Sequence, residues 1–204
     1  MRKTIIAGNW KMYKTVPQAL ELTNGLKREF FDLGSDTIDI VVCPPYTALS
    51  EVAEVVYQSN IQLGAQDMYW QDEGAFTGEV SGMMLKDAGV KYPVIGHSER
   101  RQYFGETNDT VNKKVKAALK NDLLPIMCVG EALAEREQGK TFDVVRSHVE
   151  GGLKEINNED ILKITVAYEP VWAIGTGKTA TPQQAQEVHK YIRDLLVKLY
   201  NKET

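Results

Sequence analysis

Three short stretches carry most of the residues able to do chemistry: Gly8-Asn9-Trp10-Lys11, Gly96-His97-Ser98-Glu99-Arg100-Arg101, and the run from Tyr168-Glu169-Pro170 through Val171-Trp172-Ala173-Ile174-Gly175-Thr176-Gly177 to Lys178-Thr179-Ala180. A glutamate, a histidine and a lysine brought to one place can abstract a proton beside a carbonyl. The carboxylate serves as base, the imidazole polarises the oxygen and the ammonium faces the developing charge. Taken singly, each has an ordinary reading. Lys11 alone is a solvated surface lysine, and His97 alone donates to a backbone carbonyl in a loop. Glu169 alone is a loop carboxylate, with its direction set because Pro170 drives the preceding residue towards extended geometry. What joins them is position, since each follows an apolar, strand-like run. His148 and His189 lie inside helical patterns and read as surface histidines.

The glycines after Glu169 invite two further readings, and both fail. Gly177-Lys178-Thr179 ends like a phosphate-binding P-loop, but that motif needs glycine where Trp172 stands. Gly175-x-Gly177-x-x-Ala180 matches the dinucleotide fingerprint in letters, with Asp194 a plausible acidic partner. That fingerprint turns tightly from strand into helix, however, whereas six residues including Pro170 intervene here, and capping signals start the helix only after Thr181. An NAD-dependent oxidoreductase therefore ranks low. A lid fits better: small residues between a stiff Pro170-Val171-Trp172 segment and Lys178-Thr179-Ala180, able to exclude water and offer N–H groups to an anion.

These stretches must be held by something, and the patterning says what. Thr4–Gly8, Ile38–Cys43, Ile61–Ala65, Tyr92–Gly96, Leu123–Val129 and Ile164–Tyr168 read as buried strands. Their near-continuous apolar character suits a parallel sheet covered on both faces. Helical patterns alternate with them. One runs from Val16 to about Phe31 behind a Thr15/Gln18 capping box; another runs from Pro182 to about Tyr200, with Thr181 as cap and Gln184 closing the box. Six β/α units in series make an α/β fold, read as one domain over residues 1–204. The pattern alone leaves both an open doubly wound sheet and a barrel open. Either one puts its chemistry at the carboxyl ends of the strands.

Composition narrows the function classes. Of 204 residues, 43% are hydrophobic and 25% charged, as in an ordinary globular chain, and the net charge of -4 argues against a nucleic-acid or membrane-surface binder. Cys43 and Cys128 each end an apolar run and read as buried free thiols, with too few neighbouring ligands for zinc. The apolar stretch after Met1-Arg2-Lys3 is too short for a signal peptide, and no run reaches the roughly 18 residues of a spanning helix. A cytoplasmic protein is expected.

Asn9-Trp10-Lys11, Gly96 to Arg101, Ala167 to Gly177 and the intervening Gly74-Ala75-Phe76-Thr77-Gly78-Glu79 resemble the triosephosphate isomerase family, in the family's order and spacing from Thr4 to about Tyr200. The resemblance implies a TIM (β/α)8-barrel fold and a cofactor-free isomerase interconverting dihydroxyacetone phosphate and glyceraldehyde 3-phosphate, with no metal. By the family's pattern, a reference case for tuned acid–base pairs and loop closure, Glu169 shuttles the proton and neutral His97 is the electrophile. Lys11 and Asn9 stabilise the enediolate, and Ser98 and Glu99 support. Gly175, with Ile174 and Thr176, belongs to the lid that grips substrate phosphate, hinged at Pro170, Trp172, Lys178, Thr179 and Ala180. Glu131 accepts from Trp172 in the open lid. Thr77 resembles the loop-tip residue that crosses into a partner subunit, which implies a homodimer. Such barrels have eight units in about 250 residues, whereas six are found here. That gives three further expectations: a complementing C-terminal fragment as partner, a non-catalytic truncated barrel or piece of a split barrel as the alternative function, and poor turnover by residues 1–204 alone.

Overall fold

A computed structural model of the chain describes residues 3–33 and 37–201. Met1 and Arg2, which open the N-terminal stretch read above, and Thr204, which closes the expected domain span, lie outside the described residues. The apolar runs become strands β1 (Thr4–Asn9), β2 (Ile38–Cys43), β3 (Ile61–Ala65), β4 (Val90–Ile95), β5 (Ile126–Val129) and β6 (Thr165–Tyr168). Between and after them come α1 (Val16–Glu29), α2 (Leu49–Val56), α3 (Gly82–Asp87), α4 (Ser98–Phe104), α5 (Asn108–Lys120), α6 (Leu133–Glu137), α7 (Thr141–Gly152) and α8 (Pro182–Leu199). Strand order follows chain order from β1 to β6, without the reversal that marks a doubly wound sheet.

The described residues gather into two compact units. The first takes those up to Val94 together with Lys120–Leu124; the second takes Ile95–Leu119 and those from Pro125 onward. In the first, β1 pairs parallel with β2, β2 with β3 and β3 with β4. Its core joins Val41, Val42 and Cys43 of β2 to Leu63 and Ala65 of β3 and to the Leu49/Val52/Val56 stripe of α2. Gly64 has no room for a side chain, since a Cβ there would lie 2.9 Å from the Tyr92 carbonyl oxygen. Asp39, buried on β2, accepts from Lys3 Nζ at 2.9 Å and from the Tyr92 hydroxyl at 2.8 Å. Burial pushes its carboxyl up, but the hydrogen bonds from Lys3 and Tyr92 outweigh this and hold it below the usual aspartate range. In the second unit β5 pairs parallel with β6, and Val111 and Val115 of α5, Val145 and Val149 of α7, and Val188, Ile192 and Leu195 of α8 bury their apolar stripes. The α8 start is built as expected: Thr181 Oγ1 accepts from Gln184 N at 3.2 Å, and the Gln184 side chain accepts from Thr181 N at 2.9 Å.

Several expectations need correction. β1 is largely exposed rather than buried, with Ile6 59% exposed, because β2 is its one strand neighbour among the described residues. β4 stops at Ile95 because Gly96 takes the left-handed φ of 75°. β5 begins only at Ile126, after Pro125, which has no N–H for a ladder. Neither histidine is a plain surface residue. His148 falls in the 145/148/149/152 stripe of α7 and is half-buried, with desolvation and then Arg101 pushing its pKa down to about 4. His189, beside buried Val188, is also half-buried and meets the Tyr168 ring edge-on at 5.8 Å. Cys43 and Cys128 are buried thiols that form no disulfide, and burial drives the Cys43 thiol up to about 12.

Candidate active site

Asn9 is the last residue of β1, and two residues on, Lys11 adopts φ 52°, a left-handed conformation that costs a non-glycine residue roughly 1–2 kcal/mol. Both sides of the turn are tied down. Lys11 N donates to Asn9 Oδ1 at 2.9 Å, while Gln66 Nε2 donates to the carbonyls of Lys11 and Cys43, each at 2.9 Å. Gln66, just past the end of β3, was not recognised from sequence; an amide after an apolar run is too common to stand out.

In the second unit, the turn after Ile95 and the end of β6 carry the other two residues. His97 caps the start of α4, with its Nδ1 accepting from Glu99 N at 3.2 Å. The Glu99 N–H thus faces Nδ1 and leaves Nε2 as the ring nitrogen turned towards Glu169. That Nε2 stands 3.3 Å from Glu169 Oε2. Glu169 follows β6 directly, with its N donating to Val129 O at 2.9 Å. Its carboxylate accepts from Ser98 N at 2.6 Å and from Ser98 Oγ at 2.9 Å. Glu99 Oε2 lies 3.6 Å from His97 Nδ1. The second unit brings Glu169, His97 and Ser98 into contact, while Lys11 and Asn9 belong to the first.

The segment after Glu169 has a fixed end and a loose one. Val171–Ala173 forms a short 3-10 turn whose Trp172 is buried. Trp172 Nε1 donates at 2.9 Å to Glu131, a wholly buried carboxylate that also accepts from Arg136 at 2.9 Å, the Tyr168 hydroxyl at 3.0 Å and Thr141 Oγ1 at 3.4 Å. A buried carboxylate is tolerable only with such company. Burial, then the charge of Glu131, drives the Tyr168 hydroxyl above the ordinary tyrosine range. Beyond the turn, Gly175, Thr176 and Gly177 are exposed, and both glycines take the left-handed φ that suits them. Thr176 Oγ1 donates to Trp172 O at 2.8 Å and accepts from Lys178 N at 3.2 Å. Ile174 is half-buried, while Thr179 and Ala180 run irregularly into α8.

A clamp behind His97 was missed entirely. Gly96 N donates to Glu106 at 3.1 Å, and Arg101 Nε donates to Gly96 O at 2.9 Å. Glu106 pairs with Lys114, both buried. Sequence offers no signal for a pair that exists only once α5 has docked. In the first unit, Thr77 is exposed in a loop between Gly74 (φ 142°) and Gly78 (φ 93°), whose Phe76 stacks on Tyr69 at 4.8 Å.

A family model described as triosephosphate isomerase matches residues 4–204. The chain is 56% identical, over 204 residues, to a triosephosphate isomerase of Caldanaerobacter subterraneus subsp. tengcongensis, covering all of this chain and 81% of that protein. It is 57% identical over 205 residues to that of Carboxydothermus hydrogenoformans, covering 100% and 80%, and 55% identical over 200 residues to that of Moorella thermoacetica, covering 98% and 79%.

Proposed function

Because the chain belongs to the triosephosphate isomerase family, we propose that it interconverts dihydroxyacetone phosphate and D-glyceraldehyde 3-phosphate, with Glu169 moving the proton between the two carbons. The fold class follows from the same membership: α/β, of the barrel family, with six β/α units in this chain.

The observation that carries the reading is the placement of Glu169 Oε2 3.3 Å from His97 Nε2, with the Glu99 N–H on the other ring nitrogen. A base must reach a C–H, and a neutral imidazole must offer N–H to the carbonyl oxygen beside it. The Glu169 carboxylate takes the proton from C1 while electrons move onto the carbonyl oxygen at C2. The enediolate forms, and Glu169 returns the proton to C2. His97 Nε2–H stabilises the oxygen as charge develops and relays the hydroxyl proton between O1 and O2. Lys11 and Asn9 are assigned the remaining negative charge. Ser98 holds the carboxylate with two donors, so substrate must draw Glu169 off Ser98 before abstraction. Pro170 couples that movement to the lid, in which Gly175 offers its N–H to phosphate and Trp172 rests on Glu131 when open. Lys178, Thr179 and Ala180 are the far hinge. Glu99 supports the His97 ring.

Among the described residues no helix is long and apolar enough to cross a membrane. A cytoplasmic location, a homodimer through the Thr77 loop and complementation by a C-terminal fragment belong to the same reading. The decisive experiment is coupled turnover of triose phosphate, with units seven and eight supplied, by the parent and by Glu169→Gln. We expect a fall of about 10²–10⁴-fold with far-UV circular dichroism unchanged. Near-parental turnover in the variant would move the base elsewhere.

A further inference from the structure

His148 does not belong to any of the motifs above, yet it touches the backbone that carries Glu169. The Val129–Gly130 peptide unit is gripped from both sides. Its carbonyl accepts from Glu169 N at 2.9 Å, and its N–H donates to His148 Nδ1 at 3.4 Å. Gly130 is packed so closely on the end of β6 that a Cβ there would stand 1.8 Å from the Glu169 carbonyl oxygen and 3.3 Å from its Cγ. Any tilt of this peptide is therefore passed directly to the Glu169 backbone, with no soft side chain between. We propose that His148 is a positioning residue: by accepting the Gly130 N–H through Nδ1, it holds the peptide from which Glu169 hangs. The inference rests on the isomerase reading of Glu169.

The surroundings suit an acceptor. His148 is half-buried on the face of α7 that carries Val145 and Val149, and Arg101 of α4 is the charged group that opposes its protonation. A neutral ring with Nδ1 accepting carries its proton on Nε2. Arg101 itself is tied to Gly96 O and to Asn108 Oδ1, and Asn108 Nδ2 donates to Ser147 O at 2.9 Å, so the His97 loop and the start of this histidine's turn share one network.

The test compares His148→Leu, His148→Asn and His148→Gln with the parent in the intact protein, by steady-state turnover and by hydrogen exchange at the Gly130 amide. Asparagine puts an oxygen near the Nδ1 position, while glutamine and leucine leave that position without an acceptor. We expect His148→Leu to lower kcat about tenfold with KM little changed, since a displaced base is a misplacement rather than a lost binding contact. Gly130 exchange should quicken in step. His148→Asn should restore both, and if His148→Leu does not fold, His148→Gln stands in for it. Parental kcat or parental Gly130 exchange in the acceptor-less variant overturns the proposal, as does an asparagine variant no better than leucine. If the parent turns over no triose phosphate even with a peptide supplying units seven and eight, it is the isomerase reading that fails. The exchange measurement still decides whether His148 holds Gly130.

Discussion

Lys11 shows what a single residue can reveal once its backbone is known. Its left-handed φ is held from one side by Asn9 and from the other by Gln66, an arrangement that points the residue by strain rather than by propensity. Lys11→Met should lower kcat/KM by about 10²-fold or more with the fold intact, because it removes a cation facing developing charge. A coupled assay beside a melting curve checks both halves of that expectation. Asp39 makes the opposite case, a charged residue that serves stability. Its folded pKa lies below the ordinary 3.8, so the ionised carboxylate contributes stability above that value and loses it as pH falls through the depressed folded one. Asp39→Asn should therefore melt several degrees below the parent at pH 7, about 1–3 kcal/mol for a buried network that loses its charge. The gap should narrow as pH drops below about 4. An equal gap at pH 7 and pH 3 would show that packing, not charge, is lost.

At the scale of elements, β5, β6 and the 3-10 turn after Glu169 form one device. β6 lies beside β5 through the 126–129 to 165–168 register, Glu131 follows β5, and Trp172 drops onto it from beyond β6. Trp172→Phe keeps an aromatic ring in the site but loses the pyrrole half and its N–H, leaving a fully buried carboxylate short of one donor. Such an orphan costs about 1–3 kcal/mol, readable as a lower urea midpoint at unchanged m-value. If the midpoint holds, Arg136, Tyr168 and Thr141 suffice for Glu131, and the indole is not an anchor. The strand and helix types were legible from periodicity, and the α8 cap was legible to the residue. The histidines were not: a polar residue inside an apolar stripe reads as surface by composition, although the 145/148/149/152 spacing already placed His148 on the buried face of α7.

At the scale of the molecule, six β/α units stand against the eight of the barrel family, and the chain spans 81% of its Caldanaerobacter relative. β1 bears on one strand, β2, among the described residues and leaves Ile6 in solvent. A strand edge with free N–H and C=O groups is a template for pairing. A polypeptide of residues 1–204 expressed alone should therefore self-associate in light scattering. Its turnover should fall far below that of a full eight-unit enzyme, because energy from binding the non-reacting phosphate orients the substrate and holds the lid. A peptide supplying units seven and eight should raise turnover. Family-level activity without it would show that six units suffice.

The order of strands and helices along the chain, the caps of α1 and α8 and the three loaded strand ends were determined by the sequence itself, because periodicity, capping boxes and proline act within a few residues. What only tertiary structure decided lies between distant segments. The resting place of Glu169 depends on Ser98, seventy-one positions away. The Glu106–Lys114 pair, the four donors around Glu131 and the grip of His148 on Gly130 likewise arise from packing. Hydrogen bonds and buried charges are set by distances of a few ångströms, and those distances exist only after the elements have docked.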